Sequence, residues 1–166
     1  MSNPVPQPVL DLILRAQSRQ PLGTDVAPES WTSSTDTPRE DHYSNKNERL
    51  EIDFSVQRAA FPLSQTIDTR IIEIAPGSRN ERHKHAHESL FFVLEGQGDV
   101  LVGEEWSPVK AGDLAFVPRW IMHQTRNNST TDALRVLAIT DFGFTSAVLG
   151  DYDRRTRLSH SGQDAG

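Results

Sequence analysis

Histidine recurs at alternate positions in His83-Lys84-His85-Ala86-His87, followed directly by Glu88, and this is the densest concentration of potential chemistry in the chain. Alternate residues of an extended segment project to one face, so the imidazoles of His83 and His85 can converge on one divalent ion. A third ligand is then wanted. His123 supplies it from Pro118-Arg119-Trp120-Ile121-Met122-His123, a later segment after a strand that would pair near the first. The competing account is a solvated polar hairpin whose histidines cluster by accident. An extra ligand role for His87, or for Glu88 rotated inward, stays open because parity is lost at a turn. A solvent-facing hairpin tip is the expected place for both.

Three neutral imidazoles leave a divalent ion its full double positive charge, whereas a carboxylate ligand would halve it. Such a site favours anionic chelators and leaves up to three open positions, enough for a two-pronged substrate and dioxygen side by side. The same ligands also serve a redox-neutral isomerase, decarboxylase or lyase. Around them, Arg70, Arg79, Arg82, Arg119 and Arg126 are candidate forks for a substrate carboxylate. Phe91, Phe92, Trp106, Phe116, Trp120 and Met122 are candidates for pocket wall or plain core. The residues placed nearest the chemistry are Arg119, Trp120 and Gln124, the last able to position substrate or dioxygen beside His123.

The elements that must position these groups are short strands. Leu50 to Val56, Arg70 to Ala75, Leu90 to Leu94, Asp99 to Val102, Leu114 to Val117 and Leu134 to Thr140 have strand character. Turn chemistry at Pro76-Gly77, Glu95-Gly96-Gln97-Gly98, Gly103-Glu104-Glu105, Ala111-Gly112-Asp113 and Asn127-Asn128 separates most of them. The pattern predicts an all-β barrel or sandwich over residues 49–150, with no helical period inside it. Before it, Pro8 to Arg19 reads as one amphipathic helix, and Gln20 to Glu48 as a polar arm, making residues 1–48 a helix and an arm. Residues 151–166 read as a flexible polar tail. The apolar run Leu90-Phe91-Phe92-Val93-Leu94 predicts a strand covered on both faces, one of them by a second copy of the chain.

Composition narrows the rest. The 166 residues carry 17 Lys+Arg and 23 Asp+Glu, a net charge of −6, which argues against a sequence-independent hold on nucleic acid. With no cysteine, any metal rests on histidine, carboxylate or water. The early apolar run Val9 to Leu14 is interrupted by Asp11 and supports neither a leader nor a membrane span, so a cytoplasmic protein is the expectation.

Counted from Gly77, the chain reads Gly, five residues, His83, one residue, His85, three residues, Ser89, six residues, Gly96, which resembles the first cupin motif. From Gly112 it reads Gly, five residues, Pro118, one residue, Trp120, two residues, His123, three residues, Asn127, which resembles the second, with Trp120 where that motif usually has Gly. The resemblance covers roughly Thr69 to Thr140 and implies a cupin double-stranded β-helix or jelly-roll barrel. Ser89 falls where the usual fourth ligand, a Glu, would stand. Loss of that Glu together with Pro-x-Trp-x-x-His looks like the gentisate dioxygenase group, whose metal ligands match His83, His85 and His123. What that implies is a non-haem iron(II) dioxygenase acting on a small phenolic or enolisable carboxylate. Manganese, nickel, copper and zinc also suit imidazole ligands. A small-molecule-binding or sensory cupin with a structural metal, or a redox-neutral isomerase or lyase, is the alternative. Cupins of this kind are commonly dimers.

Overall fold

The computed structural model describes residues 4–18, 32–59, 61 and 63–150. In chain order they form helix α1 (Gln7–Ser18), strand β1 (Glu40–Asn47), a 3-10 turn (Glu48–Leu50), β2 (Ile52–Ala59) and β3 (Asp68–Ile74). Then follow β4 (Ser89–Glu95), β5 (Gln97–Val102), β6 (Glu105–Lys110), β7 (Leu114–Val117), β8 (His123–Asn127), β9 (Leu134–Thr140) and helix α2 (Phe142–Leu149). A six-stranded sheet in the order β1-β2-β3-β9-β4-β7 packs against a three-stranded sheet in the order β6-β5-β8, and all the pairings are antiparallel. Phe54, Ile74, Phe91, Val93, Leu134 and Val136 from the first sheet meet Val100 and Val109 from the second in one buried core. No helix among the described residues is long and apolar enough to cross a membrane.

Alternation explains which side chains look inward. In β4, Ser89, Phe91 and Val93 are buried while Leu90 and Phe92 are exposed, the period-2 pattern of a sheet with one face on the core. The expected cover on both faces of this run is therefore absent within one chain. β9 buries Leu134, Val136, Ala138 and Thr140. β3 turns Asp68, Arg70 and Ile74 inward, so two charged residues occupy core-facing positions at the end of the strand that begins near the histidines.

Four elements differ from the expectations. The last residues of the polar arm form β1, whose sequence EDHYSNKN has no apolar period; it pairs with β2 along seven positions and is held by Tyr43 packing on Phe54 at 5.7 Å. The barrel thus begins near Glu40, not residue 49. β6 contains Pro108 and lies at an edge, where a missing backbone donor is tolerated. β8, HQTRN, is a polar strand whose inward residues serve the site. α2, FGFTSAVL, corrects the expectation of no helix in this region; it is apolar on every side, so it carries no amphipathic signature. Helix α1 lies where amphipathicity placed it. Gln20 to Trp31 and the tail after Gly150 lie outside the described residues.

Candidate metal centre

His83 and His123 are brought face to face by the backbone before their side chains are considered. Each donates its N–H to the carbonyl of the other, at 3.0 and 2.8 Å, in an isolated antiparallel bridge. Two residues on, the His85 carbonyl accepts the N–H of Trp120 at 2.8 Å, which ties the segment before β4 to the turn before β8. All three histidines are buried, and their ligand atoms lie within 4.8 Å of one another. The ring centroids of His83 and His85 stand 4.2 and 4.5 Å from that of His123.

The hydrogen bonds of the rings select their tautomers. Nδ1 of His83 lies 2.8 Å from the Glu81 carbonyl, Nδ1 of His85 2.8 Å from the His87 carbonyl, and Nδ1 of His123 3.0 Å from the Ile121 carbonyl. A carbonyl oxygen only accepts, so each Nδ1 carries the proton, and in the neutral imidazole each Nε2 is left with its lone pair. Three oriented Nε2 lone pairs in a buried cluster are a donor set suited to a divalent metal, and carbonyl anchoring of the far nitrogen is the usual support for such ligands. Among the described residues no carboxylate joins the group.

His87 is not at a solvent-facing tip. It is 2 % exposed, its ring stacks on His85 at 3.5 Å and 12°, and Phe142 of α2 meets it edge-on at 5.6 Å. The tip expectation fails because Arg119 and Asp141 hold this segment at the start of α2, where the Phe142 ring meets His87. Glu88 does face solvent, with its carboxylate 3.4 Å from Arg119.

A cavity of about 40 Å³ opens beside the three ligands, lined also by Arg70, Asn80, His87, Ser89, Phe91 and Thr140. Register explains the space: across the sheet Ser89 pairs with Thr140, which pairs with Asp68, and Phe91 pairs with Ala138, which pairs with Arg70. Small inward residues at Ser89, Ala138 and Thr140 leave room that a larger side chain would fill.

Residues 70–140 match the family described as a cupin domain. A cupin-2 domain structure from Rhodospirillum rubrum superposes with a TM-score of 0.54 at 27 % identity, covering 60 % of this chain and 68 % of that one. The fold is a cupin. Among curated proteins, the chain is 40 % identical over 63 residues to the 1-methylthio-D-xylulose 5-phosphate methylsulfurylase of Rhodospirillum rubrum, covering 37 % of this chain and 39 % of that protein. It is 31 % identical over 74 residues to the gentisate 1,2-dioxygenase of a Haloferax species, covering 43 % of this chain and 20 % of that enzyme. The matched stretches thus span less than half of either curated relative.

Two cupin positions acquire a physical account. Trp120, where the second motif usually has Gly, has φ 59°, the left-handed region in which a side chain is strained and glycine is not. That conformation aims its N–H at the His85 carbonyl, so the turn is kept and the strain is borne by a half-exposed Trp. Ser89, where the first motif usually has Glu, is buried on the cavity wall.

The other candidates separate. Arg119 donates to the Ala86 carbonyl at 2.8 Å and pairs with Asp141 at 2.5 Å, while Asp141 accepts the Glu88 N–H at 2.8 Å; together they clamp the segment carrying His85 and His87 to the start of α2. Gln124 points to the opposite face of β8 from His123 and donates to the Asn80 carbonyl at 2.8 Å. Arg119, Trp120 and Gln124 are absent from the lining of the cavity. Of the aromatic candidates, Phe91 lines it, whereas Phe92, Trp106 and Phe116 are exposed, Trp106 beneath the Arg126 guanidinium. Arg126 also pairs with Asp99 at 2.8 Å, and Asn128 donates to the same oxygen at 2.7 Å. Those bonds, led by the one from Asn128, hold the Asp99 carboxyl below its ordinary range. The polar cavity residues that sequence reasoning passed over are Asn80 and Thr140, and it also passed over Phe142 of α2, which touches His87 and Arg70. Arg70 was one of five equivalent arginines until the register of β3 placed it.

Proposed function

We propose that this cupin is a metal-dependent enzyme, an iron(II) dioxygenase for a small enolisable carboxylate. The observation that carries the reading is the ligand set: three buried histidines whose ligand atoms lie within 4.8 Å of one another, each anchored through Nδ1 to a backbone carbonyl, and Ser89 rather than a carboxylate on the adjoining wall. Bound there, iron(II) would supply Lewis acidity and electron exchange with dioxygen. The chain's own groups orient the ligands through their Nδ1 bonds, offer Ser89 and Thr140 hydroxyls to a substrate, and keep bulk water out of a small cavity. The similarity to gentisate 1,2-dioxygenase supports the oxidative class, and the size of the cavity favours an enolisable acid over a phenolic one.

One preparation loaded separately with iron(II) and with zinc, assayed in air and under nitrogen against a panel of short oxo and hydroxy acids, tests this. Turnover is expected with iron(II) in air alone, since zinc occupies the same ligands without a redox change. Equal rates under all four conditions would replace the proposal with redox-neutral Lewis-acid chemistry. That second reading is favoured by one observation, the 40 % identity to a methylsulfurylase, a relative not named as an oxygenase.

We also infer that two copies associate through the outer face of β4 and β7. Leu90 lies opposite Phe116 and Phe92 opposite Leu114, giving four exposed large apolar side chains at a sheet edge, with Leu114 62 % and Phe116 53 % exposed. An apolar edge strand is a liability to a lone barrel and is self-complementary about a two-fold axis. Light scattering is expected to give twice 18.6 kDa at micromolar concentration, and Leu114→Asp with Phe116→Asp to give the single mass. A native chain of single mass would remove the inference.

A further inference from the structure

We propose that strand β1 is a working part of the metal centre: Glu81, held by Tyr43 and Asn45 of that strand, is a positioning residue that aims the ring of His83 at the ion. This role rests on the metal-centre reading and adds to it a strand at the edge of the six-stranded sheet.

β1 has no apolar period, so its place on the sheet needs another cause. Its register supplies one. Asp41 faces Gln57 and Tyr43 faces Val56, which makes His42 the extra residue of a bulge, and beyond it the half-buried positions are Tyr43, Asn45 and Asn47. Tyr43 and Asn45 stand opposite Val56 and Phe54, two residues of the cavity wall. Both reach one atom. The Tyr43 hydroxyl donates to Glu81 Oε1 at 2.7 Å, and the Asn45 amide donates to the same oxygen at 2.5 Å.

Glu81 meets the ligands through its backbone. It is 8 % exposed, and its carbonyl accepts the Nδ1 proton of His83 at 2.8 Å. The residues on either side are fixed by other bonds. Asn80 donates its N–H to the Thr125 carbonyl at 3.0 Å and accepts the Thr125 N–H on Oδ1 at 2.8 Å, while His83 is bridged to His123. Arg82, between Glu81 and His83, faces solvent. The peptide that carries the Glu81 carbonyl can still turn between these fixed points, and the two bonds from β1 hold the side chain on the same residue. A turned carbonyl would release the Nδ1 proton, and the His83 ring would then be free to rotate or to exchange tautomers, with its Nε2 lone pair no longer aimed at the ion. Glu81 itself stays outside the convergent group, its Oε1 being taken by the donors of β1.

Coupling of this kind is reciprocal. If docked β1 tightens metal binding by some factor, bound metal must hold β1 on β2 by the same factor. An edge strand that opens locally is where such a factor is read, because its amides exchange through local opening as well as through global unfolding.

The test uses the full chain, with zinc affinity from calorimetric competition and the visible absorption of the cobalt(II) form. Glu81→Ala removes the acceptor of both bonds and is expected to weaken zinc about tenfold, the lower end of the range for groups that support ligating histidines, and to alter the cobalt(II) bands. Tyr43→Phe keeps the ring on Phe54 and removes one bond, so its loss should have the same direction and a smaller size. Lys46→Ala removes the exposed ion pair to Asp53 from the same strand pair without touching Glu81, and both readouts should stay native. With zinc bound, the β1 amides should exchange with deuterium more slowly by about the factor that Glu81→Ala loses, while those of β6, an edge strand of the other sheet, keep their rate. Native zinc affinity and native cobalt(II) bands in Glu81→Ala, an equal loss in Lys46→Ala, or β1 exchange that ignores zinc overturns the proposal. Should Glu81→Ala not fold, Tyr43→Phe carries the same comparison. If the native chain binds neither metal, the metal reading falls by itself, and the exchange rate of the His83 Nδ1 proton, read by NMR in the native and Tyr43→Phe chains, still decides the coupling: faster exchange in the variant supports it and equal rates remove it.

Discussion

Replacing His123 with alanine is expected to abolish specific metal binding and turnover while leaving the barrel folded. Changes to residues that merely support metal ligands cost about 10- to 100-fold in affinity, so removal of one of three ligands should exceed that range. The fold should survive because the bridge between residues 83 and 123 is made by their backbones, which alanine retains, and because β8 remains paired with β5 from Val102 through Gly98. The apolar core of Phe54, Ile74, Val93, Leu134 and their neighbours contains none of the ligands. His83→Ala and His85→Ala should behave alike. His87→Ala separates support from ligation: it removes the ring stacked on His85 but no member of the convergent group, so metal affinity should drop within that 10- to 100-fold window and not vanish. Metal titration by calorimetry, with circular dichroism of each metal-free variant, checks both halves. Global unfolding of the metal-free variants, or native metal affinity in His123→Ala, would remove the site.

The parts of this molecule that could be read in its sequence are those whose signal is local. The apolar runs at Leu90 to Leu94 and in Leu134 to Thr140, and glycines at tight turns, mark strands without knowledge of their partners. The histidine trio was legible because motif spacing fixes which strands meet. Strands β1 and β8 were not, since EDHYSNKN and HQTRN carry no hydrophobic period and are strands by virtue of what they pair with. Arg70 and Asp68 show the same limit. Nothing local distinguishes Arg70 from Arg79 or Arg126; only the β3 to β9 to β4 register puts it beside Ser89 and Phe91. His87 was misplaced for a related reason, because burial by Phe142 depends on a helix far along the chain that has no amphipathic signature.

Ser89→Glu is expected to convert the centre into a four-ligand site that binds metal more tightly and anionic chelators far more weakly. Ser89 is 1 % exposed, points from β4 into the cavity between Val117 and Thr140, and occupies the position that carries the acidic ligand in the first cupin motif. A carboxylate there lowers the net charge of a divalent centre from two to one and takes a position that a substrate would use. A unit charge about 4 Å away at an effective dielectric of about 20 is worth about 4 kcal/mol, so glycolate affinity of the cobalt(II) form should fall roughly 100- to 1,000-fold. Stability should move in the opposite sense according to whether metal is present. Without metal the new carboxylate is buried with the imidazoles, and the melting temperature should drop below that of the metal-free native chain. With excess zinc the tighter binding stabilises the folded state in proportion to the logarithm of metal over its dissociation constant, and the gap should close or reverse. Scanning calorimetry with and without zinc, beside glycolate titration of the cobalt form, measures both effects. Unchanged glycolate affinity in a variant whose carboxylate is shown on the metal would mean that the charge of the three-histidine centre is not what selects its ligand.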